Sequence, residues 1–181
     1  MNILLTGSEG FIGSNLKSHI EQNIDANIHC IDLKFGDDLQ TCLLPDKIDL
    51  VIHLAGLSGV RQSLDNPTEY WKQNVIVSQR IFETYKDSRI MYASSSTAKE
   101  PWRNPYAFSK FSLEQLAPEK CLGMRFTTTY GPNARENMLI PSIIRNEVDY
   151  INVDHSRDFI HIDDLCNAIV MLIDKNEYGV I

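Results

Sequence analysis

The stretch Thr6-Gly7-Ser8-Glu9-Gly10-Phe11-Ile12-Gly13 predicts a strand, a tight turn and a helix in quick succession. An apolar segment over residues 2–5 precedes it, and apolar side chains at helical spacing follow it. Glycine at positions 7 and 10 permits a tight turn and a close approach to a pyrophosphate, while Gly13 lets the helix lie against the strand. The N–H groups of the helix N-terminus suit the same anion. The spacing alone is a weak signal, because a glycine turn without a ligand has the same pattern.

Asp32 strengthens this interpretation, since it lies nineteen residues past Gly13 at the end of a second predicted strand. An acidic side chain in that place accepts hydrogen bonds from both ribose hydroxyls of an adenosine and repels a 2′-phosphate. The turn and the aspartate together favour NAD over NADP. The basic neighbour Lys34 argues the other way, and an aspartate at a strand end is often only a turn or cap residue.

Length and composition are typical of one soluble domain. With 181 residues, the chain can bury a core without disulfides or metals. A formal net charge of −7 argues against nucleic acid and against membranes as partners. The four cysteines lack metal-binding spacing, so free thiols in a reducing cytoplasm are the best interpretation. His53 and His161 lie in apolar, strand-like surroundings, and we expect hydrogen-bonded core histidines there rather than a metal site.

Strand and helix patterns alternate along the chain, which predicts an α/β fold with a doubly wound parallel sheet of the Rossmann type. The strand at 49–54 is almost continuously apolar, as a parallel strand covered on both faces must be. Ligands of such sheets bind beyond the carboxyl ends of the strands. The predicted strands are 2–6, 27–32, 49–54, 89–94, 121–128, about 150–153 and 178–181, and the predicted helices are 11–23, 67–86, 105–116, 137–147 and 163–174.

Two features near the middle of the chain indicate chemistry at that edge. The strand at 89–94 ends in a run of hydroxyl side chains. Eleven positions past Ser95 comes Tyr106, and Lys110 lies one helical turn further on the same face. A tyrosine has a reference pKa of about 10, which a nearby ammonium lowers by stabilising the phenolate. A serine hydroxyl beside such a base can position a substrate hydroxyl, although a Tyr-x-x-x-Lys pair alone is usually a surface pair.

Taken together, the motifs resemble the extended short-chain dehydrogenase/reductases of the NAD-dependent epimerase/dehydratase type. The similar segments are TGSEGFIG at 6–13, HLAG at 53–56, SSS at 94–96 and RDFIHIDDL at 157–165. In that family the residue matching Tyr106 is the catalytic acid/base. Ser95 matches the catalytic serine, with Ser96 and Thr97 as close alternatives. The resemblance therefore implies Ser95, Tyr106 and Lys110 as the catalytic residues.

The resemblance also implies a set of contacts to NAD. The residues matching Asp38 and Leu39 lie near adenine in the family, and those matching residues 54–56 line the dinucleotide. The predicted cofactor-binding residues are Gly7, Gly10, Phe11, Ile12, Gly13, Asp32, Leu33, Asp38, Leu39, Leu54, Ala55, Gly56, Asn74 and Phe126.

Two further segments, 59–67 and 125–138, are similar to UDP-glucuronate 4-epimerases. Many relatives that act on neutral sugars carry Asn at the match to Thr128, whereas uronate epimerases carry Thr there and Arg at the match to Arg135. A guanidinium fork suits a sugar carboxylate or a diphosphate, and Arg157 would face the diphosphate. The predicted substrate-binding residues are Ser96, Thr128, Arg135 and Arg157, with a solvated or helix-capping role as the alternative for the arginines.

The chain departs from this family in three places. Only ten residues separate Ser95 from Tyr106, where relatives usually carry a much longer loop. Pro118 should end the catalytic helix near residue 117, so a homodimer through the helices matching 67–86 and 105–116 stays open. The sequence ends at Ile181, where relatives continue into a substrate-binding region. We therefore expect one NAD-binding domain over 1–181, with the C-terminal substrate lobe largely missing and a remnant of it at about 129–160.

The resulting hypothesis is a cytoplasmic NAD-dependent nucleotide-sugar 4-epimerase of polysaccharide biosynthesis, acting on a UDP-glucuronate-like substrate by transient oxidation at C4. A 4,6-dehydratase or a reductase is the alternative among enzymes. Lys99-Glu100 follows the hydroxyl run where dehydratases typically carry Asp-Glu, which disfavours dehydration. The alternative from another class is an NAD-binding module with little or no catalytic activity.

Overall fold

A parallel sheet of six strands organises the protein in a computed structural model, which describes residues 1–151, 154 and 156–181. The strand order is β2-β1-β3-β4-β5-β8, and each neighbouring pair is parallel. The strands of this sheet are β1 (Asn2–Thr6), β2 (Asn27–Ile31), β3 (Leu50–His53), β4 (Arg89–Ser95), β5 (Cys121–Phe126) and β8 (Gly179–Val180). The predicted doubly wound α/β fold is confirmed.

Helices cover both faces of the sheet, which explains the continuously apolar strands. Ile3 and Leu5 of β1 pack with one layer of helices, while Leu4 between them packs with the other. The helices are α1 (Phe11–Asn23), α2 (Val60–Asp65), α3 (Pro67–Trp71), α4 (Val77–Thr84), α5 (Pro105–Leu116), α6 (Leu139–Ile144) and α7 (Ile162–Ile173). The first layer contains α1 and α7, and the second contains α4 and α5.

Two predicted elements take a different form in the structure, and a third includes residues outside the described ones. The helix predicted over 67–86 is divided by a π-helical turn, Lys72–Ile76, which separates α3 from α4. The strand predicted over 121–128 ends at Phe126, because the chain then leaves the main sheet. It forms β6 (Thr128–Tyr130), which pairs with β7 (Phe159–His161) in a small second sheet. The strand predicted at about 150–153 includes Asn152 and Val153, which lie outside the described residues.

Other local predictions are confirmed. Helix α5 ends at Leu116 with Ala117 as its cap, immediately before Pro118. Cys121 and Cys166 are buried free thiols. Within the described part of the chain, we find no helix with the length and apolar character needed to cross a membrane.

Candidate dinucleotide and catalytic site

Close backbone packing forms the glycine turn between β1 and α1. Gly7 has a φ of +72°, and a Cβ at that position would lie 2.7 Å from the backbone nitrogen of Ala55. A Cβ at Gly13 would collide with the carbonyl oxygen of Gly7. Both positions therefore require glycine. Gly10 caps helix α1 and no side chain bonds to that helix terminus, so the N–H groups of the first turn are available to an anion.

A cavity of about 180 Å³ lies beside this turn, at the carboxyl ends of β1, β2 and β3. This is the point where the strand order reverses, and it is where doubly wound sheets bind their ligands. The predicted residues that line it are Gly7, Gly10, Asp32, Leu33, Leu39, Leu54, Ala55 and Gly56. The left-handed glycine, the strand-end aspartate and the apolar walls fit the adenosine and pyrophosphate of a dinucleotide.

Sequence reasoning missed five residues of this lining, namely Ile31, Asp37, Leu57, Gln73 and Val77. Asp37 lines the cavity next to Asp38, whose Oδ1 instead accepts a hydrogen bond from the backbone N–H of Gln40 at 2.9 Å. Gln73 and Val77 are four residues apart and present one helical face to the cavity. Their helical spacing on either side of the predicted Asn74 is the sequence signal that could have identified both residues.

The remaining predicted cofactor contacts lie outside the lining of this cavity. The side chains of Phe11, Ile12 and Phe126 pack against the hydrophobic core, so at the turn only backbone groups of the first two face a ligand. Asn74 is fully buried and bonds to the protein backbone instead. Its effect on a cofactor is therefore indirect.

Asp32 combines the two roles that the sequence left open. Its Oδ2 accepts a hydrogen bond from the N–H of Glu9 and its Oδ1 accepts one from the N–H of Lys34, each at 2.9 Å. Each carboxylate oxygen has a second acceptor site, so the side chain can still bind ribose hydroxyls. The ammonium of Lys34 donates to the carbonyl of Glu9 at 2.6 Å. Asp32 thus orients the glycine turn and lines the cavity.

Tyr106 lies in the first turn of α5, where Asn104 caps the helix by accepting a hydrogen bond from the N–H of Ala107 at 2.9 Å. Its ring packs edge-on against Tyr70, with centroids 6.1 Å apart. Burial raises the pKa of Tyr106, while the nearby hydroxyl of Ser95 and the charge of Arg135 lower it. The structure therefore brings the predicted serine and tyrosine together and adds Arg135 to their surroundings.

Lys110 is buried one turn behind the tyrosine, and its Nζ donates to the carbonyl of Ala93 at 2.9 Å. A Cβ at Gly56 would lie 3.5 Å from the same nitrogen, so the ammonium adjoins the wall of the dinucleotide cavity. Burial lowers the pKa of Lys110 to about 8, against the opposing charge of Glu114. The groups that lower the pKa of Tyr106 in this structure are Ser95 and Arg135, and the role of Lys110 stays a prediction.

Glu114 is a buried carboxylate that sequence reasoning missed, although it continues the face of Tyr106 and Lys110 by one more turn. It accepts a hydrogen bond from the hydroxyl of Ser94. Arg125 donates to it from Nε at 2.8 Å and from Nη2 at 2.6 Å. This ion pair joins the catalytic helix to β4 and β5.

A second, polar cavity of about 430 Å³ contains three of the four predicted substrate-binding residues, Ser96, Thr128 and Arg157. Ser96 directly follows Ser95 in the chain, so this cavity adjoins the serine that the sequence predicts to be catalytic. The other lining residues are Arg103, Thr127, Asp154, Ser156 and Asp158. Arg135 is not among them; its charge lowers the pKa values of Tyr70 and Tyr106 against the effect of burial.

The fold and the site define a Rossmann-type nucleotide-binding protein with a serine, a tyrosine and a lysine at the carboxyl edge of the sheet. The chain belongs to the NAD dependent epimerase/dehydratase family, whose model matches residues 3–181. The resemblance to this family, and NAD as its cofactor, are thereby confirmed.

Relatives of known sequence or structure agree with this assignment. An uncharacterized protein of Methanocaldococcus jannaschii is 30% identical over an alignment that covers 97% of this chain and 72% of the relative. That alignment spans 236 residues, more than the 181 of this chain, so the chain lacks segments that the relative carries.

Two solved structures have closely similar folds. MoeE5 in complex with UDP-glucuronic acid and NAD is 29% identical, with a TM-score of 0.86 over 99% of this chain and 74% of MoeE5. The UDP-glucuronic acid 4-epimerase from Bacillus cereus, in complex with UDP-glucuronic acid and NAD, is 26% identical, with a TM-score of 0.84 over 99% of this chain and 76% of that enzyme.

Proposed function

We propose that this protein is an NAD-dependent nucleotide-sugar 4-epimerase whose substrate is a UDP-glucuronate-like nucleotide sugar. The observation that carries the proposal is the proximity of Ser95 and Tyr106 at the carboxyl end of β4, where the serine hydroxyl lowers the pKa of the tyrosine. On one side of this pair, Lys110 adjoins the dinucleotide cavity. On the other side, Ser96 opens into the polar cavity. A sugar hydroxyl held by Ser95 would therefore reach both a base and a cofactor.

The proposed reaction begins when Tyr106 takes the proton from the 4-hydroxyl of the sugar. NAD held in the dinucleotide cavity would supply a reversible hydride acceptor for C4. Tyr106 returns its proton to the 4-oxygen when the hydride comes back on the opposite face of the sugar. Ser95 holds the 4-oxygen throughout, and the charge of Arg135 favours the phenolate of Tyr106. The ammonium of Lys110 adds positive potential at the wall of the dinucleotide cavity. The redox state of the protein is unchanged after one turnover, so no external oxidant is needed.

Three side chains support an acidic sugar as the substrate. Arg135 has a guanidinium that suits a sugar carboxylate, and it acts at the tyrosine where the sugar must lie. Thr128 and Arg157 line the polar cavity, where hydroxyl and guanidinium groups suit the sugar and the diphosphate. The structural relatives described with UDP-glucuronic acid favour the same class, although MoeE5 is also described in complex with UDP-glucose and NAD.

A second candidate is an NAD-binding module that needs a further segment for catalysis. Exposed apolar side chains favour it: Ile144 is 79% exposed and Tyr150 is 81% exposed. They lie in the stretch of about 129–160, which we propose to be a remnant of a substrate-binding part attached to a single domain over 1–181. The exposed, stacked rings of Trp71 and Phe108, 5.9 Å apart on α3 and α5, support a homodimer in either case. A dehydratase is disfavoured, because Glu100 is paired with Arg103 at 2.9 Å.

The test is incubation of the purified protein and NAD with UDP-glucuronate and, separately, with UDP-glucose. Chromatography and mass spectrometry then separate the 4-epimers from the substrates. We expect UDP-galacturonate from the first substrate and a much smaller yield from the second, with no product from a Tyr106→Phe variant. A product lighter by one water would establish a dehydratase instead. If the protein binds NAD but turns over neither nucleotide sugar, the result would favour the NAD-binding module.

A further inference from the structure

His53 is a buried imidazole that the proposed chemistry does not use. It ends β3 and is 1% exposed. Its Nδ1 lies 2.7 Å from the hydroxyl of Thr6, and its Nε2 lies 2.9 Å from the hydroxyl of Ser78. Burial, with a smaller effect from the charge of Lys110, lowers the pKa of His53 to about 3. The ring is therefore neutral near pH 7 and carries a single proton.

The neighbouring hydrogen bonds determine which ring nitrogen holds that proton. Ser78 donates its one hydroxyl proton to the carbonyl of Asn74 at 2.8 Å. The oxygen of Ser78 must therefore accept a hydrogen bond from Nε2–H of His53. Nδ1 is then an acceptor, and Thr6 donates to it. The oxygen of Thr6 in turn accepts a bond from the N–H of Ala55 at 3.3 Å. All these bonds run in one direction, from Ala55 to Asn74, and we call them the His53 line.

The two ends of the His53 line hold parts of the dinucleotide cavity. At one end, Thr6 is the residue before Gly7, and Ala55 forms a wall of the cavity. At the other end, the side chain of Asn74 accepts from the N–H of Leu57 at 2.7 Å and donates to the carbonyl of Leu57 at 3.0 Å. Both ends of the His53 line are thus bonded to the wall over residues 54–57, through Ala55 and through Leu57.

Asn74 also attaches the line to the catalytic helix. Its Nδ2 donates to the hydroxyl of Ser109 at 3.0 Å, and Ser109 donates to the carbonyl of Tyr106 at 2.8 Å. The π-helical turn Lys72–Ile76 places Asn74 between the wall and α5. These polar groups are buried beside an apolar core. Burial of such a group without a hydrogen-bond partner would lower the stability of the fold. A fully satisfied buried network of this kind specifies one arrangement of the elements that it joins.

We propose that His53, as its neutral Nε2–H tautomer, is a positioning residue that fixes the cofactor wall over residues 54–57 relative to the helix of Tyr106. It touches neither cofactor nor substrate and acts through Thr6 at one end and Ser78 and Asn74 at the other. The inference rests on the dinucleotide cavity of the proposed function, but it does not depend on which sugar is used.

The tautomer is tested directly, without any activity, by ¹⁵N NMR of the histidine rings, with a His53→Gln variant to assign the signal. The expected spectrum has a protonated Nε2 and an unprotonated Nδ1 that stay unchanged between pH 8 and pH 5. A protonated Nδ1, or a titration of His53 in that range, would overturn the proposal.

The positioning role is tested by breaking the His53 line at either end with variants of nearly unchanged shape, Thr6→Val and Ser78→Ala. Affinity for NAD is measured by titration well below the melting temperature, which is recorded separately for each variant. We expect each variant to bind NAD about tenfold more weakly while it stays folded. Because one break already interrupts the line, the double variant should lose far less than the product of the two single losses. His29→Gln, a change in a histidine outside the line, is the control.

The outcomes separate this inference from the proposed function. If both single variants bind NAD with wild-type affinity and only their melting temperatures fall, the His53 line stabilises the fold alone. That result would overturn the positioning role. If the two losses of NAD affinity multiply in the double variant, Thr6 and Ser78 act independently, and this result would also contradict the positioning role. A wild-type protein that does not bind NAD would overturn the proposed function and, with it, the positioning role, whatever tautomer the NMR spectrum shows.

Discussion

The dinucleotide cavity and the polar cavity beside Ser96 have walls of different kinds. The first is lined mostly by backbone and apolar side chains, and buried residues such as His53 and Asn74 hold its wall from behind. The second is lined by hydroxyl, carboxylate and guanidinium side chains, among them Arg103 and Arg157, which are exposed. The shape of the first cavity depends on close packing, and the shape of the second depends on the ends of polar side chains.

This difference indicates how each cavity selects its ligand. A wall of tightly packed backbone fixes the shape of what it binds, so the class of cofactor follows from a few glycines. Long polar side chains adopt several rotamers and can be exchanged without disturbing the core. Under the proposed function, the choice of sugar would therefore depend on a small number of charged groups. The four predictions below test this comparison, from the largest expected effect to the smallest.

Replacement of Tyr106 by Phe should separate binding from chemistry. The hydroxyl is the proposed proton acceptor, and a general base contributes about 10² to 10⁴ in rate. We expect epimerisation to fall by that factor while affinity for NAD stays near the wild-type value. Turnover is measured by chromatography of the nucleotide sugar, and binding by titration. Full activity in this variant would remove the tyrosine from the mechanism.

Gly13→Ala should damage the dinucleotide cavity, because the new Cβ would collide with the carbonyl of Gly7, a backbone atom that cannot move aside. Overpacking of this kind costs about 1–3 kcal/mol, and we expect at least about tenfold weaker NAD binding. Ser18→Ala, a change to alanine at an exposed position of the same helix, is the control. Equal NAD affinity in the two variants, measured by titration, would contradict the packing argument.

Arg135→Gln should change the choice of sugar. Loss of a charged hydrogen bond to a carboxylate should lower kcat/KM for UDP-glucuronate by about 10- to 100-fold. For UDP-glucose, which lacks the carboxylate, we expect a much smaller loss. The control is Arg145→Gln, a change in an arginine that pairs with Glu147 at 2.7 Å. If both sugars lose activity equally, Arg135 acts on Tyr106 alone and does not bind the carboxylate.

Affinity for NAD should decrease as the pH rises through about 8. The pKa of Lys110 is lowered to about 8, so its ammonium is charged below that pH and neutral above it. Loss of this charge at the cavity wall should weaken binding of the anionic dinucleotide by about two- to fivefold. Titrations at pH 7 and pH 9 measure the effect, which should be absent in Lys110→Met. An equal pH dependence in that variant would assign the effect to another group.

Local patterns predicted most of the sheet and the first cavity. The strands β1, β2 and β3, the glycine turn and Asp32 are adjacent in a βαβ unit, where the distance along the chain fixes the distance in space. The break between α3 and α4 was not predictable in this way. The residues at both ends of the π-helical turn keep right-handed helical angles, so no breaker marks the turn in the sequence. Only the contacts of Asn74 with Leu57 and Ser109 show what the turn does.

The sequence by itself determined the fold class, the family and NAD as its cofactor, because the motifs behind them depend on residue type at short spacing. Only the tertiary structure showed that Ser95 lies near Tyr106, that Arg135 acts on that tyrosine, and that Lys110 and Glu114 are buried behind it. It also revealed the His53 line, whose members come from β1, β3 and α4. Hydrogen bonds between residues far apart in the chain depend on how the layers pack, and no local spacing records that packing.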